Sequence, residues 1–113
     1  MDDGPGRELI DRQLGYYAEG DIEGLLRNNY TEDARLVMFD FQVQGKDELR
    51  RHFGGFMTLA GKITPRAVER FVEAGDTMLV EITADTEKLG TMVFVDAFVL
   101  EGERIAYQFS VVR

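Results

Sequence analysis

The sequence predicts an α+β fold, three N-terminal helices packed on one face of a curved antiparallel β-sheet. Two observations carry that expectation. In the first half apolar residues recur at helical spacing, with Ile10, Leu14 and Tyr17 on one stripe and Leu49 and Phe53 on another. After Pro65 the period shortens to two and stays there to the C-terminus, with Gly-containing turns between the alternating runs. Helices first and a strand meander last is the layout of helices covering one side of a sheet.

The elements follow in order. Residues 1–6, Met-Asp-Asp-Gly-Pro-Gly, read as a poorly ordered tail, and residues 7–113 as one domain. A first helix starts at Arg7, with Leu9, Gln13 and Tyr16 flanking its apolar stripe. Gly20 is placed to end it and Asp21 to cap a short second helix that buries Ile22, Leu25 and Leu26. Asn28-Asn29 and the cluster Thr31-Glu32-Asp33 close that helix, and Ala34–Phe39 reads as a strand running to a turn before Gly45. A third helix begins near Lys46, turns Leu49, Phe53 and Phe56 inward, and is expected to fray at Gly54-Gly55. Strands are expected near 66–74, 77–85, 91–100 and 104–112, with turns at Gly75-Asp76, Thr86–Gly90 and Glu101-Gly102.

Composition narrows the function classes. The chain has 113 residues, 44% hydrophobic and 30% charged, enough for a single core. A net charge of −8 argues against nucleic acid, whose phosphates demand basic surface. No apolar run approaches the roughly 20 residues that span a bilayer, and the start lacks a basic and apolar leader, so no membrane partner and a cytoplasmic location are expected. With no cysteine and one histidine, no spacing suggests a metal site, and no phosphate-cradling glycine loop or nucleophile elbow is present. No cofactor is expected.

The sharpest single residue is Asp96. It interrupts Met92-Val93-Phe94-Val95-Asp96-Ala97-Phe98-Val99-Leu100, in which eight of nine residues are hydrophobic. A carboxylate in such a strand must be paired, protonated or aimed into a polar cavity, because an isolated buried charge is costly. A functional pocket carboxylate and a structural Asp satisfied by a neighbouring strand both fit. Pairing 77–85 with 91–100 as a hairpin places Met78, Val80, Ile82 and Ala84 beside Val93, Val95, Ala97 and Val99 on an all-aliphatic face. The other face then holds Leu79, Glu81 and Thr83 with Met92, Phe94, Asp96 and Phe98. Both faces look buried, which predicts a homodimer through the aliphatic outer face. On that register Glu81 and Asp96 share one apolar pocket, where two carboxylates can split their pKa values and act as acid and base.

Several segments resemble the NTF2-like superfamily, which includes SnoaL-like polyketide cyclases and ketosteroid isomerases. They are Gly20-Asp21-Ile22-Glu23-Gly24-Leu25, Thr31-Glu32-Asp33-Ala34-Arg35-Leu36, Gly45-Lys46-Asp47-Glu48-Leu49, Val95-Asp96-Ala97-Phe98 and Gly102-Glu103-Arg104-Ile105. The resemblance implies a cone-shaped cystatin-like roll with a pocket between helices and sheet, and dimers packed through the sheet's outer side. It also implies site positions. The protonated aspartic acid of the isomerases falls on Asp96, but their catalytic base falls on Met38, which cannot take a proton. Their oxyanion tyrosine falls on or near Gln13 and a second pocket tyrosine on Phe53. One match in four makes the 3-oxosteroid isomerase reaction improbable.

The pocket candidates are therefore Asp96 and Glu81 for catalysis, with Tyr17, Gln13, Met38, Phe53, Phe94, Phe98 and Gln108 as ligand contacts. Gln108 and Ser110 face the pocket only if the last turn has an odd loop length; a two-residue loop brings Tyr107 and Phe109 there instead. The resemblance favours Gln108. His52 reads as a solvated helix-surface residue and Asp40 as a turn residue. Two functions stay open: a cofactor-independent acid–base isomerase, cyclase or hydratase acting on a hydrophobic small molecule, or a non-catalytic ligand-binding or dimerisation module.

Overall fold

The protein is described by a computed structural model over residues 4–113; residues 1–3 lie outside the description. Three helices, α1 (Pro5–Glu19), α2 (Ile22–Asn29) and α3 (Lys46–Ala60), accompany six strands: β1 (Tyr30–Val37), β2 (Gln42–Gln44), β3 (Ile63–Ala74), β4 (Thr77–Thr86), β5 (Gly90–Glu101) and β6 (Arg104–Val112). They build the expected α+β architecture, helices against one face of a curved sheet that does not close into a barrel.

Local signals decide most boundaries. Gly20 ends α1 in the left-handed conformation (φ 68°), its N–H reaching the Tyr16 and Tyr17 carbonyls. Asp21 then caps α2, its Oδ1 accepting the Gly24 N–H at 2.9 Å. The expected tail is corrected over residues 4–6, while its first three residues lie outside the description. Pro5 occupies the first helical position, where its missing N–H costs nothing, and Gly6 is buried against Met78 and Glu73. β1 also starts earlier than expected, at Tyr30, directly after α2. The helix α3 does not fray at Gly54-Gly55 but continues to Ala60. Tertiary burial overrides the two glycines, because Phe53 and Ala60 are in the core and Phe56 and Met57 pack against Ile63 and Ala84.

The sheet order is β2-β1-β6-β5-β4-β3. All neighbours are antiparallel except β1 and β6, which run parallel, so the sheet is mixed rather than antiparallel throughout. Residues 38–103 lie between those two strands and supply the long crossover a parallel pair needs. Irregularities at Pro65/Ala67 and Val68/Arg70 in the edge strand β3 add bend and twist, and an edge position is where a strand tolerates proline.

The β4/β5 register differs from the expected one. Glu87, Lys88 and Leu89 form a three-residue loop, pinned by Thr86, whose hydroxyl donates to the Gly90 carbonyl and accepts the Leu89 N–H. Val80 therefore pairs with Asp96 and Ile82 with Phe94, while Glu81 pairs with Val95 and Thr83 with Val93. Directly opposed residues share a face. The inner face, toward the helices, carries Met78, Val80, Ile82 and Ala84 with Met92, Phe94, Asp96 and Phe98. The outer face carries Leu79, Glu81 and Thr83 with Val93, Val95, Ala97 and Val99. The all-aliphatic face assembled from the sequence does not exist; its β4 half is inside and its β5 half outside. The core joins Leu9, Ile10, Leu25, Leu26, Tyr30, Leu36, Leu49 and Phe53 to that inner face.

Candidate functional site

Between the inner face, α1 and α3 the structure leaves a cavity of about 90 Å³ that opens to solvent. Its floor is Ile82, Ala84, Phe94, Asp96, Gln108 and Ser110 from the sheet. Leu14 and Tyr17 come from α1, and His52, Phe53 and Phe56 from α3. Leu36 and Met38, with Ile63, Pro65 and Val112, complete the wall. Most of the lining is hydrocarbon, so the few polar atoms are conspicuous.

Asp96 is the only carboxylate on that wall. It is 6% exposed, and among the described residues its Oδ1 is buried without a hydrogen-bond partner. Burial pushes its pKa up to about 6, with Ser110 and Gln108 pulling it part of the way back. Such a group exchanges its proton near neutrality, which suits a general acid or base.

Gln108 and Ser110 reach the floor through a compensated register. The connection between β5 and β6 is a tight turn over Gly102-Glu103, closed by the Glu101–Arg104 pair, which alone would send Tyr107 and Phe109 inward. Ala106 is an extra residue: Leu100 pairs with Ile105 while Val99 pairs with Tyr107. That bulge restores the face, so Gln108 and Ser110 are buried and Tyr107 and Phe109 are exposed on the outside. The position that the resemblance gave Gln108 is the one observed.

Behind the wall stands a hydrogen-bonded polar group drawn from α1, α2, β1 and β6. Asn29 Nδ2 donates to Gln13 Oε1 at 2.8 Å, and Gln13 Nε2 donates to the hydroxyls of Tyr17 at 2.9 Å and Tyr30 at 2.8 Å. Tyr30 in turn donates to Gln108 Oε1 at 2.5 Å. Burial raises the pKa of both phenols, Asp96 adding to the rise at Tyr17 and Tyr17 to that at Tyr30, so both stay protonated. Tyr17 as a whole residue is only half-buried; its hydroxyl end is the part enclosed.

The candidates sort accordingly. Asp96, Tyr17, Met38, Phe53, Phe94 and Gln108 all line the cavity. Gln13 is buried one layer behind, holding Tyr17, and Phe98 is core, 1% exposed and off the wall. Glu81 does not join Asp96. It lies on the outer face between two guanidiniums, at 2.7 Å from Arg70 Nε and 2.6 Å from Arg113 Nη2, and they hold its carboxyl below the usual range. The pairing of two carboxylates in one pocket is thus corrected by the register. His52 is not simply solvated. Half-buried on the wall between Phe41 and Phe53, with ring centroids 5.5 and 5.3 Å away, it has its pKa lowered by burial and is a neutral imidazole at pH 7.

Sequence reasoning missed Asn29 and Tyr30. Extending the β1 alternation back from Leu36 and Ala34 would have put Tyr30 on the buried side; nothing in the pattern marks Asn29. No group of three or more His, Asp or Glu side chains that could hold a metal occurs among the described residues, and no described helix is long and apolar enough to cross a membrane.

Residues 10–108 match the SnoaL-like domain family. No curated protein matches the chain in sequence. Among solved structures, the chain is similar to an NTF2-like protein of unknown function from Burkholderia pseudomallei (TM-score 0.83, 18% identity, 97% of this chain and 92% of that one). TerC, co-crystallised with polyporic acid, is also similar (TM-score 0.81, 20% identity, 97% and 92% covered). So is a de novo designed protein with a curved β-sheet (TM-score 0.80, 13% identity, 100% and 88% covered). These likenesses show the fold alone; a designed chain with the same fold makes plain that function must be argued from the site.

Proposed function

This chain belongs to the SnoaL-like domain family, and from that premise we propose that it binds a hydrophobic small molecule in the cavity and moves a proton on it through Asp96. One observation carries the reading: a buried carboxylate oxygen with no protein partner, on a residue of a mostly hydrocarbon wall that opens to solvent. A structural aspartate would have its oxygens satisfied; an unmet one is available to a ligand. That TerC was crystallised with polyporic acid supports a small-molecule occupant for this fold.

The chemistry that fits is cofactor-independent isomerisation, cyclisation or hydration. Asp96 as carboxylate takes a proton from carbon next to a ligand carbonyl, the Tyr17 hydroxyl donates to the carbonyl oxygen as it gains charge, and Asp96 returns the proton at the new position. His52 at the mouth is neutral and, with Phe41 and Phe53, offers an aromatic approach. The competing reading is a binding module without turnover, favoured by the fact that Asp96 stands alone as a carboxylate on the wall.

The test is a thermal-shift panel of aryl ketones, followed by proton–deuterium exchange at the carbon beside the carbonyl of any hit in deuterated water. Exchange that Asp96→Asn abolishes while binding persists supports the enzyme. Binding without exchange supports the module, and no binding to the wild type removes both.

We also propose a homodimer through the outer sheet face. Leu79, Tyr107, Phe109 and Val111 are exposed there, with Tyr107 and Phe109 stacked at 6.4 Å and half-buried Val95 and Ala97 between the strands. A second copy of the same face is complementary to it in hydrophobicity.

A further inference from the structure

Asn29 is fully buried, and two of its partners leave its amide no choice of direction. The Leu9 carbonyl can only accept and takes Asn29 Nδ2 at 3.4 Å; the Arg12 guanidinium can only donate and gives its Nε–H to Asn29 Oδ1 at 3.3 Å. Asn29 Nδ2 therefore also meets Gln13, and the atom it meets has to be Oε1. Gln13 Nε2 is turned the opposite way, and its two N–H groups are spent on the hydroxyl oxygens of Tyr17 and Tyr30. Both phenols become acceptors toward the protein, so each proton must point elsewhere. Tyr30 gives its proton to Gln108 Oε1. No hydrogen bond among the described residues uses the Tyr17 proton, although Tyr30, Gln108 and Asp96 stand near the hydroxyl, and Tyr17 is on the cavity wall.

We infer that the Asn29–Gln13 amide pair is a positioning device that fixes Tyr17 as a hydrogen-bond donor into the cavity, so the ligand atom at Tyr17 is an acceptor oxygen such as a ketone carbonyl. Asn29 and Gln13 touch no ligand; they act through Tyr17. The ligand half of this statement rests on the binding reading proposed above, whereas the direction of the amide pair does not.

Gln13→Glu tests the direction with almost no change of shape. A carboxylate there still accepts from Asn29 Nδ2 and accepts from both phenols too, so the Tyr17 proton is drawn into the wall, while the Tyr30–Gln108 bond inverts, Gln108 turning its amide N–H to the Tyr30 oxygen. Asn29→Asp is a second route. With no N–H to offer, it inverts the Gln13 amide to the same effect, and Arg12 keeps the new carboxylate charged. The first readout is the tyrosine Cζ resonance by NMR of isotope-labelled protein, with Tyr16, whose hydroxyl accepts from Asn28 outside this group, as the unmoved reference. The expected result is a downfield shift of Tyr17 Cζ in either variant. A Tyr17 signal unmoved in both folded variants overturns the positioning role.

The second readout is the affinity ratio of two probes of one shape, methyl naphthyl ketone and ethylnaphthalene. The wild type should prefer the ketone by about tenfold, the size of one net hydrogen bond, and Gln13→Glu should erase that preference while leaving the hydrocarbon's affinity unchanged. A ketone preference that survives in Gln13→Glu overturns the donor assignment. If Tyr17 shifts but neither probe binds the wild type, the binding reading and the ligand half fail together and the positioning half stands.

Discussion

Replacing Asp96 with asparagine should stabilise the protein at neutral pH, by an amount that fades as the pH falls. Burial lifts the Asp96 pKa from 3.8 to about 6. A raised folded-state value means that the group's contribution is most favourable below the unfolded value, is lost as pH rises from there to the folded value, and changes little above it. Two units at ~1.36 kcal/mol each put the cost of the ionised form near 3 kcal/mol at pH 7, about half of it already felt at pH 5. Asparagine cannot ionise, so the stability difference between variant and wild type should be flat below about pH 4 and climb by about 3 kcal/mol toward pH 7. Any loss from the unpartnered amide N–H displaces that whole curve without altering its rise, and the other carboxylates cancel in the difference. The chain has no tryptophan, so urea unfolding followed by far-UV circular dichroism is the assay, at one protein concentration because association would add to stability. Parallel curves for the two proteins, or a wild type that gains on the variant as pH rises, would refute the reasoning.

Val95→Glu places a charge in the middle of the outer face, opposite Glu81 and Val111, and should convert a dimer into monomers; a wild type that sediments as a monomer at tens of micromolar, roughly the range where a weak dimer still forms, counts against the interface. Glu81→Gln should leave ketone-probe binding within about twofold, since its carboxylate faces away from the cavity; a loss as large as that of a wall residue would return Glu81 to the site. Deleting Ala106 removes the β6 bulge together with the residue that makes it, so Gln108 should stay opposite Phe98 and Ser110 opposite Asp96, with cooperative thermal unfolding kept; loss of the sharp transition in the deletion would show that the bend imposed by the bulge is itself needed.

The fold class was legible because its signals are local and periodic. The Gly20–Asp21 punctuation is decided within one turn of helix, and the change of period after Pro65 marks the sheet regardless of how its strands pair. What local reading could not supply was strand register. Whether Glu81 stands beside Asp96 or on the far side of the sheet depends on one residue in the Glu87–Leu89 loop, and alternation is blind to that count. The same uncertainty at β6 is compounded by two features that cancel, a two-residue turn and an extra Ala106. The parallel β1/β6 pairing is likewise a long-range fact, as is the persistence of α3 through Gly54-Gly55.

Asp96 could be picked out because a charge amid hydrophobic neighbours breaks the pattern. Asn29, Gln13 and Tyr30 break nothing when read along the chain, since each sits at an ordinary amphipathic boundary. Their meaning lies in valence rather than hydrophobicity: Gln13 has two N–H groups to place, Leu9 can only accept, Arg12 can only donate, and those constraints meet only once α1, α2 and β1 are packed together. A buried amide pair is costly unless every donor and acceptor finds a partner, so a folded chain that keeps it has its hydrogen-bond directions settled. The unmet groups then belong to two residues of the wall, the Tyr17 hydroxyl proton and the buried Asp96 Oδ1. On the proposed reading, a donor and an acceptor left unpaired beside one mostly hydrocarbon cavity would complement a ligand that brings an acceptor oxygen and a transferable proton, the chemistry that the Asp96→Asn and Gln13→Glu experiments test.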